Sequence, residues 1–188
     1  MSERVLVLRD EVSLPAVLAL AEQEGWELRE ETGRAQLLLA SRRWTTEMGE
    51  EITYVADHIG GACSLRVRGA GAAATAERLR ERIACHDEDE LLAVVLDADP
   101  PDPVQCIRVA GKLAACRPQR MEPRHLAALE RLLGHPQVAV RRAGIRTAYG
   151  CDWKELRGLV ELRRADEQRL WVQLEQLRRF LDGEEVGR

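Results

Sequence analysis

Few residues in this chain are of a type and spacing that could do chemistry. Cys85-His86-Asp87 sets a thiol, an imidazole and a carboxylate side by side, and soft thiolate with imidazole suits zinc. A zinc site wants about four ligands, and no second Cys/His pair stands at motif spacing, so an inter-domain turn is the other reading of these residues. His58 and Cys63 flank a glycine turn, where they read either as a base facing a nucleophile or as a plain cross-strand pair. Asp87, Glu88, Asp89 and Glu90 run together, with Asp97, Asp99 and Asp102 beyond them, and no basic residue intervenes. Such a run either loads a helix N-terminus, where the macrodipole favours acids, or presents a patch to a basic partner.

Charge of the opposite sign gathers at Arg141, Arg142 and Arg146, with Arg142 and Arg146 one helical turn apart. With Lys112 they are candidates to line the inner side of a curved helical stack and meet a partner. Trp44 follows Arg42-Arg43 and leads into the polar stretch 45 to 51, where an aromatic would be exposed for binding. Trp153, Trp171 and Phe180 read as fillers of core or cap gaps. No Gly-rich phosphate loop, GxSxG elbow, HExxH pair or DxDxDG loop is present, which removes the enzyme classes those motifs mark. No catalytic residue, cofactor or metal is therefore assigned, and a non-enzyme is expected.

Composition narrows the partners. The 28 basic and 32 acidic side chains leave a formal charge of -4, which gives no reason to expect nucleic acid or an anionic membrane. Lys112 and Lys154 are the only lysines, an Arg bias that fits a GC-rich bacterial genome. Five cysteines without CxxC spacing suit reduced thiols in the cytoplasm. The apolar stretch at Val5 to Leu8 is too short for a signal peptide or a membrane span.

The elements that must position these residues fall into two sets. Strands are expected over 4–9, 26–31, 35–42, 52–58 and 63–68, with a helix from Ser13-Leu14-Pro15 to Gln23 and another over 72–84. That β-α-β-β-β-β-α order is most economically buried as an antiparallel sheet with two helices on one face, an α+β domain over residues 1–85. From 86 to 188 the period is helical, with segments over 88–97, 103–116, 123–133, 137–150, 153–164 and 167–182 that pair into three hairpins. Breakers separate them at Pro100-Pro101-Asp102-Pro103, Arg117-Pro118, Gly134-His135-Pro136, Cys151-Asp152 and Ala165-Asp166.

Within this half Asp102 to Gly111 returns as His135 to Gly144, a 33-residue echo. The shared core, Ile107-Arg108-Val109-Ala110-Gly111 and Val140-Arg141-Arg142-Ala143-Gly144, follows an Asp-Pro or His-Pro turn. On these residues the stretch from 87 to 182 resembles HEAT-like, armadillo-type helical repeats. The resemblance implies an α-solenoid in which small residues let helices approach closely and Arg108 and Arg141 pair with acidic or backbone acceptors at the turn of an adjacent unit. Leu170-Trp171-Val172-Gln173-Leu174 departs from the pattern and implies a terminal cap. Iron-binding enzymes of the repeat class carry His-Glu dipeptides, and none of His58, His86, His125 or His135 precedes Glu.

The expectation is a non-enzymatic protein-interaction module or scaffold, of immunity or adaptor type, whose helical surface holds a protein partner. The competing expectation is a small-ligand or metal-binding protein or enzyme with a pocket at the domain junction, lined by Cys85, His86 and residues 45 to 51. Function would reside where the two copies differ, at Val109 against Arg142 and at Leu113 against Arg146.

Overall fold

Alternation of apolar and polar side chains produces five strands: β1 (Ser2–Val7), β2 (Glu27–Thr32), β3 (Leu39–Thr45), β4 (Glu51–Asp57) and β5 (Ala62–Gly69). The computed structural model describes residues 2–32, 39–57, 61–97, 102–116, 121–151, 153–166 and 168–183. His58, Asp99, Asp152, the breakers Pro100-Pro101 and Arg117-Pro118, and the start of the expected 35–42 strand lie outside the described residues. The strands form one antiparallel sheet in the order β1-β5-β4-β3-β2, with α1 (Leu14–Gln23) after β1 and α2 (Ala72–Arg82) after β5. The order of elements is the expected β-α-β-β-β-β-α. The molecule is mixed α+β, and the chain divides into two compact units, Met1–Asp87 and Glu88–Arg188.

In the first unit the pleat sends Ile52, Tyr54 and Ala56 of β4 to one face, where Leu65 and Val67 of β5 join them. Val17 and Leu20 of α1 and Ala76 and Leu79 of α2 close over that face to make one core. The two edges are protected differently. β2 is exposed and carries Glu27, Arg29, Glu30 and Glu31, a charged edge that resists pairing with another chain. Beside β1 the segment 84–86 acts as a short extra strand: Arg9 N–H donates to Ala84 O at 3.0 Å and His86 N–H to Val7 O at 2.8 Å.

Helix α2 begins at Gly71 without a capping side chain of its own. Buried Glu50 fills that role from the β3–β4 loop, its carboxylate lying where a side chain on Gly71 would be. A negative group there answers the positive end of the helix, and Thr46 donates its hydroxyl to Glu50 at 2.5 Å.

The second unit holds α3 (Glu88–Leu96), α4 (Pro103–Cys116), α5 (Pro123–Gly134), α6 (Val138–Cys151), a short 3-10 turn (Lys154–Leu156), α7 (Arg157–Asp166) and α8 (Trp171–Leu181). Pro103 and Pro123 open their helices, at the first-turn position where a missing N–H costs nothing. Helix α3 packs on α4 and α5, α4 on α6, α5 on α6 and α7, and α8 on α6 and α7. One apolar cluster joins α3 to α6 and a second joins α5 to α8. Among the described residues no helix is long and apolar enough to cross a membrane.

Helix ends in this unit are satisfied by specific side chains. Asp102 Oδ1 accepts the Val104 N–H at 3.0 Å, and at the echoed position His135 Nδ1 accepts the Gln137 N–H at 3.1 Å. An imidazole thus does in the second turn what a carboxylate does in the first. Arg131 Nη1 caps the end of α3, donating to Val95 O at 2.8 Å and Leu96 O at 2.5 Å.

Candidate interaction surface

Two sequence-predicted binding residues are corrected by the structure. Trp44 is 3% exposed, because β3 continues to Thr45 and alternation turns the indole inward opposite Ile52, 6.0 Å from the ring of Trp26. Lys112 is 5% exposed, on the side of α4 that also buries Val109 and Leu113. Its counterpart in the echo, Ile145, is apolar and buried, and that was the available signal. Arg142 and Arg146 do lie exposed on α6.

The acidic run divides. Asp87, Asp89 and Glu90 are exposed and Glu88 is half-buried, with Glu88 to Glu90 forming the first turn of α3. Two of these carboxylates turn to α5: Asp89 takes Arg124 Nη1 at 2.6 Å, and Glu88 faces His125 Nε2 at 3.1 Å. Much of the run is thereby engaged within the helical unit.

Of the two cysteine readings, only the one at Cys85 lies wholly within the described residues. Cys85 donates its thiol to Ile83 O at 3.4 Å, and burial pushes that thiol's pKa up, away from thiolate. Cys63 receives the Tyr54 hydroxyl at 3.3 Å, and burial with that contact pushes the phenol pKa up. The His58 side of that reading lies outside the described residues. Among the described residues no three His, Cys, Asp or Glu side chains converge as metal ligands would.

Sequence reasoning missed a second grouping of chemical types, at His125. Its Nδ1 accepts the Glu122 backbone N–H at 3.0 Å, so Nε2 carries the ring proton and offers it to Glu88. The ring leans on Trp153 with centroids 5.2 Å apart. Cys151 lines the same small cavity, its thiol pushed up to about 12 by burial and then by the charge of Glu88. A Glu–His–Cys set invites a catalytic reading, but the cavity is only about 10 Å³, the room of a single water. Its walls are otherwise Leu92, Leu113, Ala128, Leu129 and Thr147, so the group is a packed seam with no space for a substrate.

A larger concavity, of about 480 Å³, opens where the turn from α5 to α6 meets the approach to α8. Arg141, Arg163, Arg169, His135 and Gln168 line it beside Leu133 and Val138. Arg141 is fixed at the wall by donating Nη1 to His135 O at 2.7 Å and to Pro136 O at 2.8 Å, both in the turn that opens its own helix.

Close by in sequence, Leu162, Trp171 and Val172 are exposed, with Trp171 at 48%. The gap-filling role expected of Trp171 is therefore corrected: it opens α8 on the solvent side, with the Arg164 guanidinium 6.0 Å from its ring centroid. Trp153, by contrast, is buried and Phe180 packs on Tyr149. The sequence signal was the phase of α8: Leu170, Leu174, Leu177 and Leu181 form its buried stripe, and Trp171 falls outside it.

Comparison with known proteins gives no match: no protein-family model, no curated protein and no solved structure matches the chain.

Proposed function

We propose that the protein is a non-enzymatic interaction module whose second unit is a short HEAT-like stack that docks one protein partner. The observation that carries the reading is the exposed group Trp171, Val172 and Leu162 on the paired helices α7 and α8. Tryptophan beside aliphatic side chains and arginine is the composition of an interface hot spot, and large apolar groups left in water gain most from being covered. Support for a stacked arrangement comes from the pattern of neighbours, in which α3, α5 and α7 follow one another and α4, α6 and α8 do the same. On this reading Arg142 and Arg146, exposed on α6, add positive charge to the docking unit and favour a partner with acidic groups.

The test compares affinity capture by the native chain with capture by Trp171→Ala and Val172→Asp, each first shown to keep its unfolding midpoint. A reproducible protein partner retained by the native chain and lost from both variants is the expected result. Absence of a reproducible partner, or a partner held equally by the variants, overturns the reading.

A further inference from the structure

The groove between the α5–α6 turn and the approach to α8 has the chemistry of a ligand site in its own right. Three guanidiniums line one concavity, and among the described lining residues no carboxylate accompanies them. Arg163 is the most telling of the three. Its Nε is buried and finds no acceptor among the described residues, an arrangement that costs free energy unless something else supplies the acceptor. Its guanidinium also lies against Gly134, where a Cβ would come within 2.7 Å of Nη2, so the last residue of α5 makes the room in which this arginine sits.

We propose that this groove binds a small polyanion, a ligand carrying two or more phosphate or carboxylate groups. Guanidinium forks match both oxyanions in bidentate geometry, and more than one fork calls for more than one anionic group. The volume, about 480 Å³, is that of a small-molecule site. A long polyanion such as nucleic acid is disfavoured because the chain as a whole carries a formal charge of -4. The Gln168 amide and the His135 ring add hydrogen-bonding groups to the wall, and Leu133 and Val138 give it an apolar side. The ligand would thus join anionic ends to a short carbon frame. Nothing here depends on the docking of a protein at Trp171.

Isothermal titration of the full chain with pyrophosphate and, separately, with citrate at matched ionic strength tests the site and separates the two oxyanion sources. Saturable binding of either at one site per chain is expected. Arg163→Gln should weaken it about tenfold, the loss of one charge-assisted contact. Gly134→Ala is the sharper variant, since its new methyl displaces the tip of Arg163 while a helical alanine does not cost stability; affinity should fall with the unfolding midpoint held or raised. The proposal is overturned if neither anion saturates, if both variants bind as the native chain does, or if a glutamate-rich peptide binds more tightly than both anions. The last outcome would reassign the groove to an acidic protein segment.

Discussion

Helices α4 and α6 carry the same ten-residue echo and use it in opposite ways. Helix α4 buries Cys106, Val109 and Leu113, and at the matching positions α6 exposes Ala139, Arg142 and Arg146. Conversely Val140 is fully buried in α6 while its counterpart Ile107 is 38% exposed. What the copies share is the turn: a capping acceptor, a proline, and then a helix start. What they do not share is the face turned inward. The difference follows from neighbours. Helix α6 packs on α4, α5 and α8, and accordingly presents small residues on several sides, whereas among the described residues α4 packs chiefly on α3 and α6. The contrasts of Val109 with Arg142 and Leu113 with Arg146 therefore express which face of each helix is buried.

An aspartate at each of the two matched positions tests this most strongly. Val140→Asp places an unpaired charge in the cluster shared by α3, α4 and α5 and should cost about 3–5 kcal/mol. Ile107→Asp should cost under about 1 kcal/mol, as at other surface sites. Urea denaturation of the two variants reads the gap directly, and equal losses would show that the faces are used alike.

Next in size is the close approach of α4 to α6. A Cβ on Gly150 would meet Ala114 O of α4 at 2.9 Å, a backbone atom that cannot swing aside, and on the side facing α5 one on Gly144 would meet Leu132 Cβ at 3.0 Å. Gly150→Ala gains helix propensity but overpacks the contact, so a net loss of about 1–2 kcal/mol is expected. A rise in the melting temperature would mean that the helices can separate without cost.

A smaller effect is expected at Thr147, whose buried hydroxyl donates to Ala110 O at 2.8 Å across the same interface. Replacing it by valine keeps the shape and removes the bond, for a loss of about 1 kcal/mol measured by thermal unfolding. If Thr147→Val is neutral, packing alone joins the two helices.

The order of strands and helices could be read from the sequence because alternation, helical period and proline or glycine breakers agree with one another from Val5 to Leu181. Strand ends were harder. Nothing local distinguishes Arg42 as an end from Arg42 as the middle of β3, and three extra residues decide whether Trp44 meets water or Trp26. The groove was illegible for a different reason. Gly134 and Arg163 are separated by α6 and the 3-10 turn, and only the packing of α5 on α7 brings them together. The echo itself drew attention to Arg142 and Arg146, away from Arg163 and Arg169, which it does not contain.

The end of α6 offers the finest test of how deeply this helix is set. Burial is the main cause that raises the Cys151 pKa to about 12, with the Glu88 charge adding to it, so the thiol stays protonated in the folded chain where a solvated thiol would have ionised. A pKa raised by folding favours the native state below the unfolded value, near about 8.5. That contribution is lost progressively as pH rises from there toward about 12, because only the unfolded chain then releases the proton freely. Alkylation by iodoacetamide at pH 8.5, followed residue by residue with mass spectrometry, should accordingly leave Cys151 nearly untouched until urea unfolds the chain. Glu88→Gln removes the lesser cause and should raise the rate only slightly, since burial remains. A Cys151 that reacts at the rate of a free thiol in the native state would place the end of α6 in solvent, and with it the seam that holds His125 and Trp153.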